Sequence, residues 1–74
     1  MYILVSNSVV SIANANAIYV TDGMLKIETE TSAMAISNIP ENALQQVAEG
    51  VAENKRFIEF EDAILELAEA ENEA

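Results

Sequence analysis

The chain has no cysteine, no histidine and no tryptophan, one proline, two glycines and three basic residues. Without Cys and His there is no disulfide, no thiolate nucleophile, no imidazole acid or base, and none of the ordinary ligand sets for zinc, haem or iron–sulfur clusters. Three cations are too few to neutralise a nucleic-acid backbone, so direct DNA or RNA binding is not expected. Gly23 and Gly50 are too far apart to build a phosphate-cradling loop. Residues 1–21 carry no charged side chain. Ser6, Asn7, Ser8, Ser11, Asn14 and Asn16 nevertheless break that stretch well short of the roughly 20 apolar residues a membrane span needs. It also lacks the basic flank of a secretory signal. The expectation is a cytoplasmic protein with no membrane contact, in keeping with the lack of cysteine.

What is present is apolar and acidic. Of 74 residues, 51% are hydrophobic and the net charge is −10, which favours one folded domain over a disordered acidic tail. A chain this short buries only about 60% of its unfolded surface, so a second copy or a bound partner is a natural source of further stability. The charge is uneven. Residues 1–40 hold Asp22, Glu28 and Glu30 against Lys26, a net of −2, and residues 41–74 hold ten acids against Lys55 and Arg56, a net of −8.

The strongest local signal is Asp22-Gly23 between Ala17-Ile18-Tyr19-Val20-Thr21 and Met24-Leu25-Lys26-Ile27-Glu28. Asp-Gly suits a type I′ turn, whose two central residues both need positive φ. The resulting hairpin sets Val20 against Leu25 and Ile18 against Ile27 on one face, and Tyr19 against Lys26 and Thr21 against Met24 on the other. Folding residues 1–12 around Asn7-Ser8 places Val5 opposite Val10 and Ile3 opposite Ile12. Asn14-Ala15-Asn16 links the hairpins, and Ala33-Met34-Ala35-Ile36 reads as a further short strand or an extended connection.

Helical periodicity begins near Pro40, with Leu44, Val47, Ala48 and Val51 on one face. Asn38 and Glu41 have the spacing of a capping box, Asn54 is a candidate C-terminal cap, and Gly50 within the helix points to close packing or a frayed last turn. Arg56-Phe57-Ile58-Glu59-Phe60 reads as a strand, with a helical first turn as the alternative. From Phe60 onward, Phe60, Ala63, Ile64, Leu67 and Ala68 form a stripe at helical spacing, with residues 70–74 as a fraying tail. The implied fold is a single α+β domain over 1–74. It has an antiparallel meander of about four short strands in a β-rich part, 1–37, and an acidic helical part, 38–74, with one or two helices packed on one sheet face.

On such a second helix Asp62, Glu66, Glu69 and Glu73, spaced 4, 3 and 4, share a sector about 60° wide. Their Cβ atoms stand about 5–6 Å apart, comparable to the phosphate spacing along one nucleic-acid strand. A charged solvent face is the ordinary fate of an amphipathic helix, but ordinary faces mix both signs and this one holds no base. Leu65 lies beside the acidic row as a candidate contact, with a boundary residue covered by the sheet or a neighbouring chain as the alternative. Tyr19, Met24 and Lys26, with Tyr2 and Leu4, form a second candidate interface on the other sheet face.

No catalytic residue, cofactor or metal is expected. Without His only a Ser–Lys pair remains, and neither Lys26 nor Lys55 sits in such a motif. Glu28 and Glu30 share one side of a strand, but a domain this small has little room for a cleft. Glu59, Glu61 and Asp62 lack any EF-hand pattern. The expected function is a small, acidic, non-enzymatic protein-binding module that engages a basic partner protein, in its more specific form an inhibitor acting by nucleic-acid mimicry. Size, charge and lack of catalytic residues are shared with small acidic phage anti-restriction and anti-CRISPR inhibitors, a likeness of properties and not of sequence. The alternative is a structural or assembly protein that homo-oligomerises through its sheet.

Overall fold

The computed structural model describes residues 1–70, the side chains of residues 67–70 aside. Seven strands and one helix follow in the order β1 (Tyr2–Val5), β2 (Ser8–Ser11), β3 (Ala17–Thr21), β4 (Met24–Glu28), β5 (Ser32–Ser37), α1 (Ala43–Ala52), β6 (Phe57–Glu59) and β7 (Ile64–Ala70). They form two sheets, β2-β1-β6 and β3-β4-β5-β7. The two expected hairpins therefore lie in different sheets, and β6 joins the first one parallel to β1. A mostly strand α+β domain is the outcome.

Hairpin β3–β4 has the register its turn chemistry requires, with Val20 opposite Leu25 and Ile18 opposite Ile27. Asp22 and Gly23 both take positive φ, 54° and 75°. In β1–β2 the turn falls at Ser6-Asn7, so Ile3 faces Val10 and Val5 faces Ser8, two residues from the expected pairing. Neither turn residue has positive φ, so this is not a primed turn. A shift of two preserves which side chains point inward, because strand side chains alternate with period two.

Helix α1 forms where its periodicity indicates but buries a different face. Ala43, Val47 and Gly50 are buried, while Leu44 is 40% and Val51 55% exposed. Close packing explains the turn of the helix. A Cβ on Gly50 would stand 2.9 Å from Met1 Sδ and 3.1 Å from Ile58 Cγ2, so the small residues, not the largest, form the seam. The helix ends at Asn54 with φ 58°, where Lys55 N–H donates to Gly50 O and Asn54 N–H to Val51 O, the two bonds of a Schellman cap. At the other end the capping box is not made. Asn42 is the N-cap residue without a side-chain cap bond, and Asn38, at φ 57°, donates from Nδ2 to Asp62 O at 2.7 Å instead.

The second helix does not form. After β6 the chain turns at Glu61-Asp62, with Ala63 N–H donating to Phe60 O, and continues as β7 along β5 from Ser37/Ile64 to Ser32/Ala70. The Ala, Leu and Glu residues here favour a helix intrinsically, but ladder pairing with β5 overrides that weak preference. Ile3, Val10, Ile12 and Ile58 from the first sheet side, Leu25, Ile27 and Ile36 from the second, Ala43 and Val47 from α1, and Phe60 and Ala63 from the corner form one core. Among the described residues no buried side chain is polar or charged, and no helix is long and apolar enough to cross a membrane.

Candidate functional site

Segment 57–66 crosses from one sheet to the other, and its side chains divide by alternation. Ile58, Phe60 and Ala63 are buried and Leu65 packs against the core. Outward stand Phe57, Glu59, Glu61, Asp62, Ile64 and Glu66, all exposed. The two-residue turn shifts the alternation by one, which is why both Glu61 and Asp62 face solvent.

Several bonds hold this segment. Tyr2 N–H donates to Arg56 O, Phe60 N–H to Leu4 O, and Ser6 N–H to Ala63 O at 2.8 Å. Asn7 clasps Leu65 through two bonds, Leu65 N–H to Asn7 Oδ1 at 3.0 Å and Asn7 Nδ2 to Leu65 O at 3.2 Å. Between Ala35 and Ile36 the β5–β7 ladder slips, Ile36 facing Leu65 and Ala35 facing Leu67. Glu66, left without a ladder partner, accepts a hydrogen bond from Ser37 Oγ at 2.7 Å. That bond fixes its carboxylate on the face that bears Ile64, since Ser37 and Ile64 are paired.

Of the residues expected on the acidic helical row, Asp62 lies in the corner turn, Leu65 and Glu66 in β7, and Glu69 in the same strand opposite Ala33. Glu73 lies outside the described residues. On an extended chain residues two apart share a face, so a spacing of 4 keeps two residues together and a spacing of 3 does not. The structure instead joins Asp62 and Glu66 to Glu59 and Glu61, whose place in the row a helical reading misses. Leu65 faces the core rather than solvent. Tyr19, Met24 and Lys26 do share one sheet face, Tyr19 directly opposite Lys26.

Electrostatically the stripe is one-signed. Among the described residues the ion pair is Lys55 Nζ to Glu53 Oε1 at 3.7 Å, which involves none of the four stripe acids. An open recess of about 410 Å³ beside the corner is lined by apolar Ile39, Pro40 and Phe60 together with Glu59, Glu61 and Asp62. Among the described residues no three carboxylates converge as a metal centre. On the other sheet face Tyr19 Oη donates to Glu28 Oε2 at 2.6 Å. That bond, helped by partial burial and by the carboxylate's charge, holds the phenol above its ordinary value of 10.0. No family model matches the chain, and neither the curated proteins nor the solved structures give a match.

Proposed function

We propose that the chain is a small, acidic, non-enzymatic protein-binding module whose contact surface for a basic partner protein is the outward side of segment 57–66. One observation carries the reading: Glu59, Glu61, Asp62 and Glu66 stand exposed and interleaved with exposed Phe57 and Ile64, and among the described residues no cation pairs with any of them. Unpaired carboxylates attract and orient a basic surface, while the apolar side chains supply the desolvated area that charge alone does not. The recess at the corner suits a Lys or Arg side chain, whose aliphatic stem packs on apolar groups while its head reaches carboxylates.

Nucleic-acid mimicry is the more specific form of this reading. On an extended chain Glu59 and Glu61 are about 6.6 Å apart, a separation a groove built for successive phosphates accepts. The test is capture from the native host with the tagged chain at ionic strengths of about 0.1 M and 1 M, where the screening length falls from about 10 Å to about 3 Å. A basic protein retained at the lower salt, released at the higher and displaced by added DNA or RNA supports mimicry. Release by salt without displacement by nucleic acid leaves the basic-partner reading and removes mimicry, and retention indifferent to salt removes both.

A further inference from the structure

We infer that the open edge of β2 is a strand-addition surface for a second copy of this chain, which pairs β2 with β2 antiparallel and joins two three-stranded sheets into one of six strands. The inference uses none of the acids of the stripe, which begins at the opposite edge strand, β6. Strand β2 is the outer strand of β2-β1-β6. Its phase follows from one bond: Ile12 N–H donates to Met1 O at 3.1 Å, so Ile3/Val10 and Val5/Ser8 are the hydrogen-bonded pairs of the ladder. The N–H and C=O groups of Val9 and Ser11 therefore point away from β1, toward the open edge.

Strand β2 carries none of the usual edge protections. β6 and β3 lie against α1, and β7 is bonded by Asn7 and bears Glu66. Soluble proteins blunt free edges with charge, proline, bulges or cover. β2 reads Ser-Val-Val-Ser, its pairing with β1 runs without irregularity, and Val9 is 65% exposed. Charge selects the occupant. Two chains of net −10 repel wherever their acids meet, but residues 1–21 hold no charged side chain, so along this edge two copies approach with little repulsion. A basic partner finds no carboxylate there.

Geometry agrees. A two-fold axis at Val10 sets Val9 of each copy opposite Ser11 of the other and closes four main-chain bonds, with outward residues against outward and buried Val10 against its own copy. The outward apolar side chains Tyr2, Val9 and Phe57, 51%, 65% and 54% exposed, then lie on one continuous sheet face. A four-residue edge falls short of the roughly 1,200 Å² of a stable interface, so the dimer is expected to dissociate at concentrations on the order of 100 μM.

Sedimentation equilibrium on the whole chain from about 1 μM to about 1 mM, at ionic strengths of about 0.05 M and 1 M, tests it. The mass is expected to climb from 8.0 kDa toward twice that value, with a midpoint several-fold lower at high salt because salt screens the mutual repulsion. Val9→Lys, which puts like charges on either side of the axis, and Ser11→Pro, which removes an edge donor not used by β1, are each expected to raise the midpoint at least tenfold while circular dichroism stays native. If Ser11→Pro loses the fold, Val9→Lys decides alone. A mass of 8.0 kDa throughout, a dimer weakened by salt, or folded variants that dimerise like the parent would each overturn the inference.

Discussion

The carboxamide of Asn7 bonds both main-chain groups of Leu65, accepting from its N–H and donating to its C=O across 58 residues of sequence. A side-chain amide has the donor and acceptor of a peptide unit, so Asn7 acts as a one-residue strand on the outer edge of β7 and ties the first hairpin to the second sheet. Asn7→Ala is expected to cost about 1–2 kcal/mol, two exposed bonds at the lower end of their usual net value. Asn7→Asp keeps the acceptor but sets a carboxylate against the Leu65 carbonyl, and is expected to cost at least as much. Urea denaturation of the three proteins measures both, and equal midpoints would show that the clasp adds nothing.

Leu25 is fully buried at the centre of the core. Leu25→Ala is expected to lose about 2–5 kcal/mol through lost burial and the cavity left behind, and Leu25→Asp, which buries an unpaired charge, to abolish the fold. Native circular dichroism and thermal stability in Leu25→Asp would contradict the inward assignment of β4.

Gly50 separates two arguments that point in opposite directions. Helix propensity alone makes Gly50→Ala stabilising by about 1 kcal/mol. The added Cβ, however, meets Met1 Sδ at 2.9 Å and Ile58 Cγ2 at 3.1 Å. Met1 can swing aside but Ile58 is held in β6, and overpacking commonly costs about 1–3 kcal/mol. The expected result is no gain for Ala and a loss of more than about 2 kcal/mol for Gly50→Leu; the full propensity gain in Gly50→Ala would mean that the seam between α1 and β6 is loose.

Tyr19 titrates above its ordinary value because its proton is held by Glu28. The bond needs the neutral phenol, so its contribution is complete below the unfolded value near 10 and is lost as pH rises through the higher folded value. In a Tyr2→Phe background one tyrosine remains to absorb. Its spectrophotometric titration is expected to fall toward 10.0 when Glu28→Ala removes the acceptor, and an unmoved midpoint would show that the bond is not formed in solution.

Much of the fold was legible from local chemistry. Asp22-Gly23 specifies both a turn and a register, and alternation in Phe57-Ile58-Glu59 marks β6. What escaped was decided by distant contacts. Ala63-Ile64-Leu65-Glu66-Leu67 has helical composition and helical spacing, and only the free edge of β5 makes it a strand. The β1–β2 register turns on Asn7, whose partner lies 58 residues away. The buried face of α1 follows small Ala43 and Gly50 rather than large Leu44 and Val51, because fit outweighs hydrophobicity where backbones approach closely. Part of the acidic stripe is common to the helical and the extended conformation. Asp62 and Glu66 point outward in either form, since charged side chains seek water whatever the backbone does, but their neighbours in the stripe, Glu59 and Glu61, are supplied by the extended conformation.

The role proposed for the outward stripe of segment 57–66 is to bind a basic partner. Its most direct test is the dissociation constant of the captured partner, measured across ionic strength for the parent chain and for a folded variant carrying Glu59→Lys, Asp62→Lys and Glu66→Lys. Affinity is expected to fall at least tenfold between about 0.1 M and 0.5 M salt, and a further tenfold or more in the variant at low salt. Equal affinity for parent and variant, unmoved by salt, would contradict it.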